Sequence, residues 1–282
     1  MRRAVDRLFW GFAGAATALA LLAFVAIAGA ILSRAWPALS WRFLTTAAAD
    51  GGASGGVGWQ LVGTAVLVTT ALAVALPLAT GLALLVEVFA GARTARLLRL
   101  GLYVGNGIPS IVFGLFALAV FSKALGWGKS WLAGGLVLGF MILPTVTVAL
   151  AERMAAIPLK YREAAAGLGL GTSDIVRAVI LPQSVGGLVS GAMLGLARAA
   201  GETAPILFAA AVFSGATWPA GIAESPVLAL PYHIFVLAQD SLDPAATPRL
   251  WGAAAVLLAL AVSVSAVALP ARLAAHEEAR RV

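Results

Sequence analysis

Long apolar runs, separated by shorter polar segments, make up most of the chain. An α-helix needs about 20 predominantly apolar residues to cross the hydrocarbon core of a bilayer, and six runs meet that requirement. Two of them are longer than one crossing requires, which predicts a tilt or an extension into water. The pattern predicts an all-α membrane protein with six transmembrane helices in a single domain, residues 1–282. The predicted spans are residues 10–32, 61–89, 101–121, 131–151, 185–213 and 250–269.

The first run also has features of a cleavable signal segment. It follows Arg2 and Arg3, and residues 28–30 (Ala-Gly-Ala) are similar to a signal-peptidase site. Its apolar stretch is longer than the roughly 7–15 residues typical of a signal peptide. We therefore interpret this run as a retained transmembrane helix.

Composition supports a membrane protein with no catalytic site of its own. Hydrophobic residues account for 61% of the chain and charged residues for 11%, against about 25% charged in an average soluble domain. The net charge of +7 would fit a nucleic-acid partner, but the basic residues lie between apolar runs, which favours a membrane instead. The absence of cysteine excludes disulfides and thiol catalysis. The two histidines are far apart, so we predict no metal site. We also predict no catalytic residue. The membrane interpretation leads us to predict no nucleic-acid partner.

The distribution of lysine and arginine predicts the orientation of the chain. Thirteen of the 19 basic residues lie in the N-terminal segment, in the loops after the second and fourth spans, or in the tail, and five lie on the opposite side. Cytoplasmic loops carry the excess of Lys and Arg. Both termini and the loop of residues 152–184 are therefore predicted to be cytoplasmic. The remaining basic residue, Arg198, lies inside the fifth predicted span.

The cytoplasmic loop of residues 152–184 contains the most informative polar segment. Helix-favouring residues follow Pro158, and Gly169 would end a short helix. Residues 172–174 are suitable N-caps for a second helix, which would end before Pro182. Two short helices joined by a glycine turn would form a protrusion suited to docking into a groove on another protein. A solvated loop between two spans is the alternative interpretation.

The spacing within this loop resembles the EAA loop of ABC-transporter permeases. That pattern is E-A-A, three residues, G, nine residues and then I-x-L-P, and the chain departs from it only at Val179, where isoleucine is usual. In that family the loop forms coupling helices that dock onto the ATP-hydrolysing subunits, and the resemblance implies the same role here. The matching residues are Glu163, Ala164, Ala165, Gly169, Leu181 and Pro182.

The fifth predicted span places an ion pair on the same face as a row of glycines. At about 100° per residue, Arg198 and Glu202 share one helix face with Gly187, Gly191 and Gly195. Glycines four residues apart permit helices to approach closely, and residues four apart on a helix are placed to pair. We interpret this face as a packed interface, of the kind expected at a subunit boundary that lines a pathway.

The pair of Arg198 and Glu202 has two interpretations. An ionised residue within a bilayer normally faces a protein interior or a water-filled path. In the first interpretation, the pair only braces two helices. In the second, the positive charge of Arg198 attracts a passing anion. Glu202 partly neutralises that charge, so that the anion is released again.

The segment around this pair is similar to the R-A-x-G-E-T-A-P segment of phosphate-uptake permeases of the PstA type. The match covers residues 198–205, and residues 107–116 and 230–235 agree with the same family. Permeases of the PstC type usually diverge after G-E-T, so Ala204 and Pro205 favour the PstA type. The family's Arg and Glu are implicated in phosphate passage, and the resemblance carries this role over to the present chain. The predicted substrate-pathway residues are Arg198, Glu202 and Thr203.

The resemblance implies a type I ABC importer permease with the MetI-like fold, in the inner (plasma) membrane of a bacterial cell. The chain would pair with a PstC-like permease as a heterodimer within the membrane lipid. Two cytoplasmic ATPase subunits would use ATP and Mg²⁺, so this chain would bind no cofactor itself and would not be an enzyme. A periplasmic binding protein would deliver inorganic phosphate to the pore.

Two other functions remain open. An ABC permease for another oxyanion, sulfate or molybdate, would carry the same EAA loop, and only residues 107–116 and 198–205 argue against it. An ion-driven secondary transporter would act alone, and such proteins often show internal repeats and several polar midplane residues. The chain shows no similarity between its halves, and its predicted spans contain only three ionised residues, which disfavours that class. These residues are Glu87, Arg198 and Glu202.

Overall fold

The computed structural model describes residues 2–52, 54–239 and 246–280, without the side chains of residues 2–5, 7, 8, 51 and 268–280. The basic residues of the N-terminus and tail lie outside the described side chains, so the orientation of the chain stays a prediction.

One short antiparallel hairpin, β1 (Ala48–Ala49) and β2 (Ser54–Gly55), lies among the helices. The helices are α1 (Arg2–Ala35), α2 (Trp41–Thr45), α3 (Gly58–Leu84), α4 (Ala92–Gly107), α5 (Ser110–Ala117), α6 (Trp131–Ala155), α7 (Leu159–Gly167), α8 (Thr172–Ile175), α9 (Leu181–Gly201), α10 (Ala204–Ala209), α11 (Leu230–Gln239) and α12 (Thr247–Arg280).

Within the described residues, five helical segments are long and apolar enough to cross a membrane. A sixth candidate consists of α4 together with α5 and its π-helical extension to Ala124, two parts bent by 92° relative to each other. With this bent pair counted as one span, the predicted all-α fold with six spans is confirmed. The five unbent segments are Phe9–Ala35, Gly58–Phe89, Trp131–Ala155, Thr172–Gly201 and Thr247–Val267.

The third predicted span, residues 101–121, is divided between α4 and α5. Ile108 and Pro109 have extended backbones, with ψ of 126° and 137°. Proline has no amide hydrogen, and its ring disfavours a helical conformation in the preceding residue. The helical hydrogen-bond ladder therefore stops at Gly107 and restarts at Ser110, although the run is predominantly apolar on both sides of the break.

The helix of the fifth predicted span begins earlier and ends earlier than residues 185–213. We expected a separate short helix that stops before Pro182, but one continuous helix runs from Thr172 to Gly201. Its π-helical turn at Val176–Ile180 ends two residues before Pro182, and a widened turn gives the proline ring room against the preceding carbonyl groups. At the other end, Glu202 adopts an extended backbone (φ −77°, ψ 130°), so the helix stops there.

Helices α3, α6 and α9 form the core, and small residues bring them close together. A Cβ atom added to Gly134 of α6 would lie 2.8 Å from Leu67 Cδ2, and one added to Gly139 would lie 3.1 Å from the carbonyl oxygen of Ala71. Ala71 is fully buried in this contact. Helix α12 packs on α9, whereas α1 packs mainly on α12 and exposes most of its apolar side chains. The middle of α6 is thereby held between α3 and α9.

Candidate functional site

The protruding turn between α7 and α8 is shaped by Gly169. Gly169 has φ +83°, in the left-handed region that glycine adopts without strain. The amides of Leu168 and Leu170 donate to the carbonyl oxygens of Ala164 and Ala165, at 3.1 and 3.2 Å. The turn thus satisfies carbonyl groups at the end of α7 while it reverses the chain.

Contacts on one side of the protrusion hold it against the end of α6. Arg162 Nη2 donates to the carbonyl oxygen of Met154 at 2.8 Å, and Ala165 is buried. Met154 belongs to a buried apolar cluster that also contains Val176 and Ile180 from the start of the long helix. The base of the protrusion is therefore packed into the chain.

The other side of the protrusion exposes apolar side chains. Leu168 is 83% exposed, and Leu159 and Tyr161 are exposed as well. Glu163 and Ala164 lie on the exposed part of α7. Apolar side chains rimmed by polar residues are typical of an interaction surface. We call this set of exposed residues of α7 and the following turn the coupling surface, after the role that the resemblance to the EAA loop implies.

The six residues of the loop motif do not all lie on this protrusion. Glu163, Ala164, Ala165 and Gly169 lie in α7 and its turn. Leu181 and Pro182 instead lie at the start of α9, where Leu181 packs on the apolar cluster beneath the protrusion. The motif thus joins the coupling surface to the beginning of a spanning helix.

The glycine face of α9 is occupied by α6 of the same chain, which differs from the subunit boundary that we expected. A Cβ atom added to Gly187 would lie 2.5 Å from Arg153 Cβ, and one added to Gly195 would lie 3.1 Å from Val146 Cγ2. The spacing of the glycines in the sequence predicts that another helix packs on this face, but it does not identify that helix. The glycines therefore pack two helices of this chain against each other.

Replacing Gly191 with leucine is expected to lower the yield of the folded chain sharply. A Cβ atom there would already lie 3.1 Å from the carbonyl oxygen of Val146 and 3.2 Å from Ala149 Cβ, and overpacking of this kind typically costs about 1–3 kcal/mol. Size-exclusion chromatography of the detergent-solubilised chain measures the yield. Gly81→Leu is the matched control, because a Cβ atom at Gly81 meets no atom within 4 Å. Equal yields of the two variants would contradict the close contact.

Arg198 and Glu202 face each other at the point where α9 ends. Arg198 Nε lies 3.7 Å from Glu202 Oε1, and their side chains are 32% and 19% exposed. The pair is thus neither fully buried nor freely solvated. Thr203 follows directly, and its carbonyl oxygen accepts from the amide of Leu207 at 3.0 Å, which starts α10.

Two further polar side chains, which the sequence analysis did not single out, adjoin this pair. Arg198 Nη1 lies 3.5 Å from Thr145 Oγ1 of α6, and Thr145 Oγ1 donates to Asn106 Oδ1 of α4 at 2.8 Å. Asn106 is the only asparagine of the chain and lies within a predicted span, which is the signal that could have found it. We call Asn106, Thr145, Arg198 and Glu202 the polar relay.

The polar relay lies where helices are interrupted. Asn106 is in the last turn of α4, before the 92° bend, and Glu202 separates α9 from α10. Beyond the bend, α5 packs on α10, since a Cβ atom at Gly114 would lie 2.8 Å from the carbonyl oxygen of Ala204. Irregular backbone at membrane depth is tolerated only where protein buries it or where it lines a water-filled cavity.

The structure brings two of the three sequence segments together. Residues 107–116 form the bend and most of α5, and residues 198–205 form the end of α9 and the start of α10, so the two adjoin. Residues 230–235 lie in α11 and pack on the start of α3, where the amide of Leu230 donates to Thr64 Oγ1 at 2.9 Å. The third segment therefore supports the fold rather than the polar relay.

The other ionised residue of the predicted spans, Glu87, is paired. Its Oε1 atom accepts from Arg99 Nη2 at 2.7 Å, and the Glu87 side chain is only 9% exposed. The bond joins the end of the second span to α4. Arg99 therefore neutralises the charge of Glu87 within the chain.

Several long apolar helices, with interruptions beside the polar relay, define a multi-pass membrane protein. The family described as "binding-protein-dependent transport system inner membrane component" matches residues 75–276. The chain belongs to this family.

Relatives and a solved structure refine this assignment. The chain is 33% identical to the phosphate transport system permease protein PstA 2 of Mycobacterium bovis over 234 residues, which is 83% of this chain and 77% of the relative. It is 31% identical to the probable phosphate transport system permease protein PstA of Methanocaldococcus jannaschii over 265 residues, or 94% and 92% of the two chains. The inward-facing MetNI methionine ABC transporter resembles it with a TM-score of 0.52 at 18% identity, covering 80% of this chain and 94% of that one. The predicted resemblance to PstA-type permeases and the MetI-like fold are both confirmed.

Proposed function

We propose that this chain is the transmembrane permease subunit of an ATP-driven importer of inorganic phosphate. The observation that carries the proposal is the guanidinium of Arg198, held where α9 ends and beside the bend between α4 and α5. Relatives that span nearly the whole chain are named as phosphate transport permeases, which supports phosphate over sulfate or molybdate. The chain would form half of the pore.

The charges of the polar relay favour weak binding and release of an anion over tight binding. Two unit charges about 4 Å apart interact by about 4 kcal/mol at the effective dielectric of a protein surface, so an isolated arginine would hold a divalent anion strongly. Glu202, at 3.7 Å, offsets part of that attraction. Conduction requires binding that is favourable enough for entry and weak enough for release.

The coupling surface is the proposed contact with the ATP-hydrolysing subunits. Its exposed apolar residues on a packed base are suited to a protein groove, and its sequence resembles the EAA loop. In the complete importer, two cytoplasmic ATPase subunits would use ATP and Mg²⁺, and this chain would bind neither. A PstC-like permease would complete the pore, and a periplasmic binding protein would supply phosphate. The complex would lie in the inner membrane, with both termini of this chain in the cytoplasm.

Uptake of radiolabelled orthophosphate tests the proposal. Cells that lack this chain are expected to regain uptake when the wild-type chain is supplied, with little competition from sulfate or molybdate. Uptake should also stop when the co-purified ATPase is inactivated, which separates an ABC importer from an ion-driven transporter. Full competition by another oxyanion would overturn the phosphate assignment, and uptake that persists without the ATPase would overturn the ATP-driven mechanism.

A further inference from the structure

The hydrogen bonds of the polar relay have a fixed direction. Thr145 has one hydroxyl proton, and it donates that proton to Asn106 Oδ1 at 2.8 Å. The Thr145 oxygen is then an acceptor toward Arg198 Nη1, which lies 3.5 Å away. One threonine hydroxyl thus connects α4 to the guanidinium at the end of α9.

This direction leaves the amide nitrogen of Asn106 available as a donor. Its Oδ1 atom is occupied by Thr145, while within the described part of the chain Nδ2 has no hydrogen-bond partner. Asn106 is half-buried and immediately precedes the bend at Gly107. A polar N–H group at such a depth is costly to leave unpaired unless water or a ligand reaches it.

The nearby charges make a neutral donor useful. Arg198 and Glu202 together have a net charge near zero, so an oxyanion with several oxygen atoms needs further hydrogen-bond donors at this point. A carboxamide supplies such a donor without adding charge that would slow release. Hydrogen bonds to charged groups are also stronger than those between neutral groups.

We propose that Asn106 Nδ2 donates a hydrogen bond to the oxyanion that Arg198 attracts, and that Thr145 is a positioning residue that holds both side chains. This inference rests on the proposed transport function and names a further binding group of the same pathway. A bracing role is the competing explanation, because the Asn106–Thr145 bond also ties α4 to α6, and Gly105 lies close to Pro144 there. The two roles use different atoms of Asn106, since bracing needs Oδ1 and anion binding needs Nδ2.

Asn106→Asp tests the donor role, because aspartate retains an oxygen acceptor for Thr145 and loses the N–H donor. It also adds a negative charge that would itself repel an anion, so Asn106→Ala, which adds no charge, is its control. In vesicles with the complete importer, we expect N106D to raise the KM for orthophosphate at least about tenfold, with an unchanged yield of complex.

Thr145→Val should raise the KM for orthophosphate by a smaller factor while Vmax is largely retained. Thr145→Ser keeps the hydroxyl and should therefore have the KM of the wild type. An unchanged KM for N106D would overturn the donor role, and an unchanged KM for T145V would overturn the positioning role.

A second comparison covers the case in which N106D does not assemble. Asn106→Ala removes both atoms, whereas T145V removes the hydroxyl that contacts Asn106 and Arg198 but leaves Asn106 Nδ2 in place. A larger rise in KM for N106A than for T145V supports the donor, and equal rises would overturn it. Wild-type uptake is measured in the same vesicles. Its absence would count against the phosphate function, and the comparison of variants is then made with the oxyanion that the wild type transports.

Discussion

Replacing Arg198 with alanine is expected to abolish phosphate uptake while the complex still assembles. The substitution removes the guanidinium and leaves Glu202, 3.7 Å away, as an uncompensated negative charge that repels an anion. Arg198 is 32% exposed, so its loss should cost less stability than the roughly 3–5 kcal/mol of a buried pair broken on one side. We expect uptake of radiolabelled orthophosphate to fall at least about 100-fold. Co-purification of the ATPase subunits is expected to remain normal.

The double variant Arg198→Ala/Glu202→Ala is the matched control for this prediction. It removes both charges, so the repulsion by an unpaired Glu202 is relieved and no lone charge remains in the relay. If Arg198 attracts the anion, the double variant stays inactive. Recovery of uptake in the double variant would show that the Arg198 guanidinium is not required for passage of the anion.

Replacing Gly169 with valine is expected to loosen ATPase binding by at least about tenfold and to reduce uptake in proportion. Gly169 has φ +83°, and a left-handed backbone costs a non-glycine residue roughly 1–2 kcal/mol, with β-branched residues worst placed. A Cβ atom there meets no atom within 4 Å, so the effect comes from the backbone of the turn and not from a clash in the core. Pull-down of the ATPase by the solubilised permease measures the change.

Gly167→Ala provides the control for the turn. Gly167 is the last residue of α7, and a Cβ atom there also meets no atom within 4 Å. Alanine favours a helix over glycine, so this variant should bind the ATPase as well as the wild type does. Normal binding and uptake in Gly169→Val would contradict the role assigned to the turn.

The spans were predictable, because a sufficiently long apolar run has few alternatives to a transmembrane helix. The interruptions of these helices were not predictable. Residues 101–121 are predominantly apolar, and the extended backbone at Ile108 and Pro109 divides them. Pro182 had the opposite outcome, since a π-helical turn accommodates it and the helix continues. Whether a proline breaks a helix depends on the geometry of the turn before it and on the packing of neighbouring helices. The sequence around the proline gives neither of these.

The candidate site was predictable only in part, for a similar reason. Arg198 and Glu202 are four residues apart, a spacing that places side chains next to each other on a helix, so the sequence alone predicts their pairing. Thr145 lies 53 positions from Arg198, and Asn106 lies 39 positions from Thr145. Such distant contacts depend on how α4, α6 and α9 pack. The glycine face likewise predicts a close neighbour without identifying α6.

The unbroken helix from Thr172 to Gly201 has a mechanical consequence. At about 1.5 Å per residue, its 30 residues form a rod of about 45 Å, with one end beside the coupling surface and the other at Arg198. The wider turn and Pro182 place any bending near the first of these ends, while the glycine face offers α6 a surface with no side chains to interlock. A displacement that is transmitted past Pro182 would therefore reach the guanidinium as a slide or rotation of the rest of the rod.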